Sequence, residues 1–393
     1  MKDTQTIVIT CAPHVSKILA EEVKALGYPV KASSILEVTT EGSLHDCMYL
    51  NLHLRSAHRI LYELKRFRTA NADQLYHQLK SIAWDEYIPA NSYFSVSSFV
   101  KNPTIRDTRF ANLKVKDAIV DYLQDKYGRR PDSGPRQDRI VVFLHWKDRD
   151  AGIFLDTSGE SIAKHGYRQV TVEAPMQEAL AAAIIASTAW QPELPFVNPM
   201  CGSGTLAIEA ALIKARKAPG LLRDNFAFMH LKTFDSSHWE KIRKEAEQEF
   251  KKTIANFTNQ LANIIATDQD PKAIAAARQN AARAGVAGLI RFEVADFRDT
   301  ELPSPQAREE GKPVVVINPP YGERLGEEEQ LLSLYQEMGD FFKQKCVGYW
   351  GYIFTGNLNL SKKVGLRTNR RLEFVNGKIE SRLLEYELYT GKG

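Results

Sequence analysis

The chain has 393 residues, with 52 Lys and Arg against 48 Asp and Glu, a formal net charge of +4 and a hydrophobic content of 44%. That length suffices for two or three domains with their own cores, while the near balance of charge excludes a polyelectrolyte that grips nucleic acid over its whole surface. The start Met1 to Thr6 lacks a signal-peptide core and no apolar run is long enough to span a bilayer, and Cys11, Cys47, Cys201 and Cys346 have neither metal-ligand spacing nor a paired framework, so a cytoplasmic protein with reduced thiols and no metal is expected.

Ile7–Thr10 reads as a strand and Val15–Leu26 as a helix ended by Gly27; Leu36–Thr40 is a second strand and Leu44–Leu54 a second helical segment. This opening, taken as residues 1–65, is a small ferredoxin-like α+β unit. A second α+β unit over 66–165 follows, with the alternating strand Tyr93–Val100, the helix Leu113–Tyr127, and Ile140–Trp146 and Ala151–Asp156 as a hairpin. Positive charge is clustered: Arg55, Arg59, Lys65, Arg66 and Arg68 surround Glu63, and Lys114, Lys116, Lys126, Arg129 and Arg130 lie along or just after the second unit's helix. A basic helix face of this kind suits contacts with phosphates.

From His165-Gly166-Tyr167-Arg168 onward the pattern becomes that of a doubly wound α/β domain over 166–393, beginning with an Ala-rich helix from Val172 to Ala189. Leu194–Val197 is a short buried strand that runs through Asn198-Pro199-Met200-Cys201-Gly202-Ser203-Gly204-Thr205 into a helix. Gly202 and Gly204 permit a tight turn with close backbone approach, as in nucleotide-binding strand–turn–helix units. Phosphate-binding signatures fit poorly, since there is no Gly-Lys-Ser/Thr and no three-glycine dinucleotide spacing, and a zwitterionic methionine-type cofactor suits the turn better. Lys214–Asn259 reads as an insertion that adds a helical element packed on this domain.

The next strand ends in Asp268-Gln269-Asp270-Pro271. Asp268, at the end of the second strand, is placed to hold both ribose hydroxyls of a nucleoside, with Gln269 beside it; Asp270 followed by Pro is a helix cap. A third strand, Ile290–Val294, leads to Asp296, an acceptor for an adenine amino group, and Phe297, a ring to pack on that base. The fourth, Val314–Ile317, ends in Asn318-Pro319-Pro320-Tyr321. An exocyclic amino group is a poor nucleophile because its lone pair is delocalised into the base, and an Asn oxygen and a proline carbonyl can each take one of its N–H groups. The prolines fix that carbonyl and Tyr321 offers a face to an extruded base.

Taken together these motifs resemble the class I S-adenosylmethionine-dependent methyltransferases that methylate amino groups. The extended run Asn318 to Gly326 is similar to that of the large-subunit ribosomal RNA guanine-N2 methyltransferases, as are Asp156–Ser161, His165–Arg168, Ala174-Pro175-Met176-Gln177-Glu178 and Asn376-Gly377-Lys378-Ile379-Glu380. The resemblance implies S-adenosyl-L-methionine as cofactor, held by Asn198, Cys201, Gly202, Ser203, Gly204, Thr205, Asp268, Gln269, Asp296 and Phe297, with Asn318, Pro319, Pro320 and Tyr321 at the target base. It also implies that the second unit is a THUMP domain, which in its family grips structured RNA, and makes Lys114, Lys116, Lys126, Arg129 and Arg130 candidate RNA contacts. Ribosomal RNA is the expected partner and transfer RNA the alternative, with neither a membrane nor an obligate protein partner indicated. Two departures stand out: Asn198 occupies a position where the family usually has Asp, and some bacterial relatives carry a further methyltransferase domain, whereas this chain stops at Gly393. The rival readings are an adenine-N6 methyltransferase acting on DNA or RNA, and a non-catalytic RNA-binding assembly factor.

Overall fold

A computed structural model describes residues 4–103, 105, 107–168, 176–257, 262–305, 311–321 and 327–389. Two compact units emerge. The first comprises residues 1–11, 19–162 and 223–245, and the second 12–18, 163–222 and 246–393.

In the first unit one eight-stranded sheet is assembled from β1 (Gln5–Cys11), β2 (Ala32–Ser33), β3 (Glu37–Gly42), β4 (Ala57–Arg68), β5 (Tyr93–Lys101), β6 (Asp132–Ser133), β7 (Ile140–Lys147) and β8 (Asp150–Asp156), in the order β2-β3-β1-β4-β8-β7-β5-β6. The first four strands with α1 (Ser16–Ala25) and α2 (Leu44–His53) make the expected ferredoxin-like arrangement. Helix α2 starts where it does because Ser43 and Asp46 form a reciprocal capping box. The remaining strands, with α3 (Ala72–Lys80) and α4 (Thr108–Tyr127), complete the second α+β piece, in which β5 runs parallel to β7 and antiparallel β4–β8 pairing makes the sheet continuous. Strand β4 was not foreseen.

The second unit holds a seven-stranded sheet of β9 (Phe196–Pro199), β10 (Ile264–Asp268), β11 (Ile290–Val294), β12 (Val314–Ile317), β13 (Trp350–Thr355), β14 (Arg370–Asn376) and β15 (Ile379–Glu387), ordered β11-β10-β9-β12-β13-β15-β14. The first five are mutually parallel, and β15 pairs antiparallel with β13. Val314–Ile317, Phe196, Val197 and Ile264–Ala266 are fully buried, which is why these strands read as unbroken apolar runs. Helices α5 (Glu178–Ala186), α6 (Thr205–Lys214), α8 (Pro271–Ala284), α9 (Glu327–Lys345) and α10 (Leu358–Ser361) accompany this sheet, and α7 (Ser236–Ala255) lies in the insertion. Strand order reverses at β9, so a crevice is expected at the carboxyl ends of β9 and β12. Among the described residues no helix is long and apolar enough to cross a membrane.

Two expectations need correction. The Ala-rich helix is shorter than 172–189: it spans Glu178–Ala186, with Gln177 in extended conformation before it, and residues 172–175 lie outside the described residues. The insertion was expected to pack on the second unit as a whole, yet its portion 223–245 belongs to the first. Phe226, Phe228 and Trp239 are buried there, with Phe226 and Phe228 stacked at 5.2 Å and both meeting Trp239 edge-on. Backbone hydrogen bonds from Ala227 to Ser158 and from Phe228 to Thr157 tie the segment to the end of β8.

Candidate active site

The turn between β9 and α6 is built on three left-handed residues, Met200 (φ 56°), Gly202 (φ 54°) and Gly204 (φ 82°). Gly204 is obligatory, because a Cβ there would stand 2.8 Å from the Cβ of Ala277 on α8. A Cβ at Gly202 would meet nothing within 4 Å, so its backbone borders open space. The Asp268 carboxylate spans the turn, accepting from Gly202 N at 2.9 Å through Oδ2 and from Asp270 N at 3.0 Å through Oδ1. Each oxygen keeps a further lone pair for an external hydroxyl. Asp270 caps α8 by accepting from Lys272 N, with Pro271 in the first turn. Gln269 is exposed beside them.

Asn198 is buried at the end of β9. Its Nδ2 donates to Val316 O on β12 at 2.8 Å, and its Oδ1 is buried without a hydrogen-bond partner among the described residues. An Asp at this position would set a carboxylate oxygen against that carbonyl; the amide instead ties the two strands at the switch point and leaves one acceptor for a cationic group. An orphaned buried acceptor, a glycine facing open space and a carboxylate with spare lone pairs together fit a cofactor that carries an ammonium and a ribose. Cys201 and Ser203 are buried in the turn; burial, and next the neighbouring Asp268 charge, push the Cys201 thiol up, so it is a packed thiol and no nucleophile.

Asp296 is clamped by Arg298 through a two-pronged contact, Oδ1 to Nε at 2.8 Å and Oδ2 to Nη2 at 2.7 Å. Hydrogen bonding from Arg298 holds the Asp296 carboxyl below its usual range. The sequence reading put the Phe297 ring against a cofactor base. It is instead 6% exposed, edge-on to Phe341 at 5.7 Å in the core of the second unit. The exposed apolar side chain near Asp296 is Val294, at 54%, which no sequence signal distinguished from an ordinary strand residue.

At the end of β12, Tyr321 donates its hydroxyl to Asn318 Oδ1 at 2.7 Å. One lone pair of that oxygen is used and the carboxamide orientation is set. Pro319 is buried and Pro320 exposed. Two residues missed in the sequence support this stretch: Tyr335 donates to Pro320 O at 3.4 Å and shares a hydrogen bond with Thr355, and Asn357 Nδ2 donates to Tyr321 O at 3.1 Å. Gly356 makes room for the Tyr321 ring, since a Cβ there would lie 3.2 Å from Tyr321 Cδ2. The Thr355-Gly356-Asn357 turn was the available signal. Residues Gly322 to Gly326, as well as Ala174 and Pro175, lie outside the described residues.

His165–Arg168 acquires a structural meaning. His165 Nδ1 contacts Glu209 Oε1 of α6 at 2.8 Å with both side chains buried, and Arg168 Nη2 donates to Met176 O at 2.6 Å and to Thr205 Oγ1 at 3.0 Å. This brace holds the start of α6, and with it the glycine turn. The basic helix residues in the first unit are dispersed: Lys114 pairs with Asp73, Lys126 with Asp85, and Arg129 with Asn91, while Lys116 is half-buried and Arg130 exposed.

Family comparisons agree with this layout. Residues 165–385 match the RMKL-like methyltransferase domain, 6–61 the RlmL ferredoxin-like domain and 69–156 the THUMP domain. A candidate RNA methyltransferase of Synechocystis sp., slr0064, is 34% identical over 396 residues, covering 99% of this chain and 100% of that protein. The ribosomal RNA large subunit methyltransferase K/L of Syntrophotalea carbinolica is 37% identical over 384 residues, covering 96% of this chain and 53% of that protein, so the chain spans about half the length of such relatives. Among solved structures, SMU.472, a candidate methyltransferase complexed with SAH, superposes with a TM-score of 0.86 at 29% identity, with 100% of both chains covered. With its RlmL ferredoxin-like and THUMP domains preceding the catalytic fold, the chain belongs to the RMKL-like RNA methyltransferase family.

Proposed function

We propose that the protein methylates the exocyclic N2 amino group of a guanine in structured RNA, using S-adenosyl-L-methionine as donor. Large-subunit ribosomal RNA is the favoured substrate class, after the names of the K/L relatives, with transfer RNA second. In this reading residues 166–393 carry the chemistry, while 1–65 and 66–165 capture the RNA. The observation that carries it is the pre-set Asn318 carboxamide at the carboxyl end of β12, next to the β9 turn, with Tyr321 as its hydrogen-bond donor.

Asn198 Oδ1 would hold the ammonium of the cofactor, the turn Cys201–Thr205 its methionine portion, Asp268 with Gln269 its ribose, and Asp296 its base. When bound, the cofactor supplies a methyl group on a sulfonium centre. Asn318 Oδ1 and the Pro319 carbonyl each accept a hydrogen bond from one of the two amino N–H groups and draw the nitrogen lone pair out of conjugation, and Tyr321 stacks on the flipped base. Before transfer no strong base is required, because the nitrogen becomes acidic only once methylated and then sheds one proton to solvent; positioning supplies the rate. The test is to incubate the protein with ribosomal RNA and isotope-labelled donor, digest to nucleosides and identify the product by mass spectrometry. N2-methylguanosine is expected, and labelled N6-methyladenosine in its place would overturn the reading.

A further inference from the structure

The eight-stranded sheet of the first unit has two unlike faces. One carries Phe94, Val142, Leu144, Trp146, Ile153 and Leu155, all buried, with α4 packed on β5. On the other, cross-strand register places Phe99, His145, Gly152 and Arg66 in one transverse row, and Lys101, Lys147, Asp150 and Arg68 in the next. Phe99 is 51% exposed. Its ring lies parallel to the His145 imidazole, with centroids 5.3 Å apart and an interplanar angle of 8°. Next to them Gly152 presents no side chain, and the Phe154 ring leans over it, within 2.8 Å of where a Cβ would be. The row is thus a flat aromatic floor with a cation at its far end.

Charge around this floor is mainly positive. Lys101, Lys147, Arg66 and Arg68 are exposed. Glu63 pairs with Arg66 at 2.6 Å and Asp150 approaches Arg68 at 3.7 Å, so both arginines are partly neutralised. Glu37, Arg66 and Lys147 all lie near enough to influence His145, whose burial keeps its ring neutral by lowering its proton affinity. The chemistry that matches a half-exposed ring on a neutral imidazole, fringed by cations, is an unpaired nucleotide: its base stacks on the ring and its phosphates meet the lysines. A duplex cannot use such a floor, because its bases are already stacked on one another.

We propose that the exposed end of this sheet face, at Phe99 and His145, is a stacking platform for a single-stranded stretch of RNA, separate from the α4 residues and from the methylation site. The proposal rests on the reading of the substrate as RNA. It assigns recognition of unpaired flanking sequence to the strands of the first unit, where the sequence pointed to its helix.

The test uses the full chain with two probes, a short fluorescent oligouridylate and a blunt RNA duplex, read by anisotropy. Phe99→Ala should weaken oligouridylate binding by about ten-fold or more, the usual effect of losing one base–aromatic stack, and leave duplex binding unchanged. Phe99→Trp should restore the single-strand affinity. Lys101→Ala combined with Lys147→Ala should flatten the logarithmic salt dependence for oligouridylate by roughly 1.4, about 0.7 for each phosphate no longer neutralised. Ultraviolet crosslinking of the probe should map to Phe99 or His145. Unchanged oligouridylate binding by Phe99→Ala, or an equal loss for both probes, overturns the proposal. So does a change in sedimentation of that variant without any change in RNA affinity, which would make the face a contact between copies of the chain. The methylation reading fails separately: if no methylated guanosine forms while Phe99→Ala still loses the single strand, the platform stands and the enzymatic assignment falls.

Discussion

At the scale of single residues, the two acids around β10 have different duties, which mutation can separate. Asp268→Ala removes a carboxylate that holds Gly202 N and Asp270 N. Cofactor affinity should fall roughly ten-fold or more, as for loss of a hydrogen bond to a charged group, measured by calorimetric titration. Asp270→Ala should leave that affinity unchanged and lower thermal stability by about 0.5–2 kcal/mol, the usual effect of losing an N-cap. A reversed pattern would mean that the two roles are exchanged. Asn318→Ala should behave in the opposite sense from Asp268→Ala: single-turnover methyl transfer falls by roughly 10²–10³ while donor binding persists, because the proposed partner of the side chain is the amino group and not the donor. Near wild-type turnover would remove Asn318 from the mechanism.

At the scale of elements, the β9–α6 turn is the most constrained piece. Gly204→Ala combines a left-handed backbone with a Cβ only 2.8 Å from Ala277, and should destabilise the protein by about 2–4 kcal/mol, with a lowered melting temperature and weaker donor binding as the readouts. This turn and the strand-end acids were legible in the sequence because glycine pairs and acids after apolar runs are local signals. Strand β4 was not. Its buried run Ile60-Leu61-Tyr62 breaks the alternation expected of a strand, and a register shift between Glu63 and Lys65 breaks it again, so only its charges showed. Phe297 was misplaced for a related reason: an aromatic after a strand-end acid looks the same in sequence whether it faces a ligand or the core. The extent of α5 was obscured because Glu178–Ile185 is buried all round, leaving no amphipathic period to mark its start. The His165–Glu209 and Arg168–Thr205 contacts join residues dozens of positions apart, and no single-sequence pattern reports such pairs.

At the scale of the whole molecule, the first unit is discontinuous, and this bears on how it can be dissected. A fragment ending at residue 165 lacks Phe226, Phe228 and Trp239, which are buried in that unit. It should melt well below the same fragment with residues 223–245 joined to it through a short linker, as differential scanning fluorimetry would show. In the full chain, Trp239→Ala should destabilise by about 3–5 kcal/mol, the usual loss for a buried aromatic. If the shorter fragment proved as stable as the longer one, the aromatic cluster would be an accessory and no part of that core.

The discontinuity also imposes an order on biosynthesis. A ribosome that has delivered residue 162 has made most of the first unit, but its last aromatic residues come only after the β9–α6 turn, with the portion that closes it ending at residue 245. At typical elongation rates that interval is roughly 4–17 s. During it, the nascent amino-terminal part must wait with an apolar surface uncovered while the beginning of the catalytic sheet is already outside. The amino-terminal unit is therefore first to be started and yet unable to finish ahead of its neighbour's opening strand, so the two cannot mature as strictly successive beads on a string. Chaperone demand should peak in that window, and synonymous codon changes that slow translation between residues 163 and 245 should lower soluble yield more than equal slowing after residue 246.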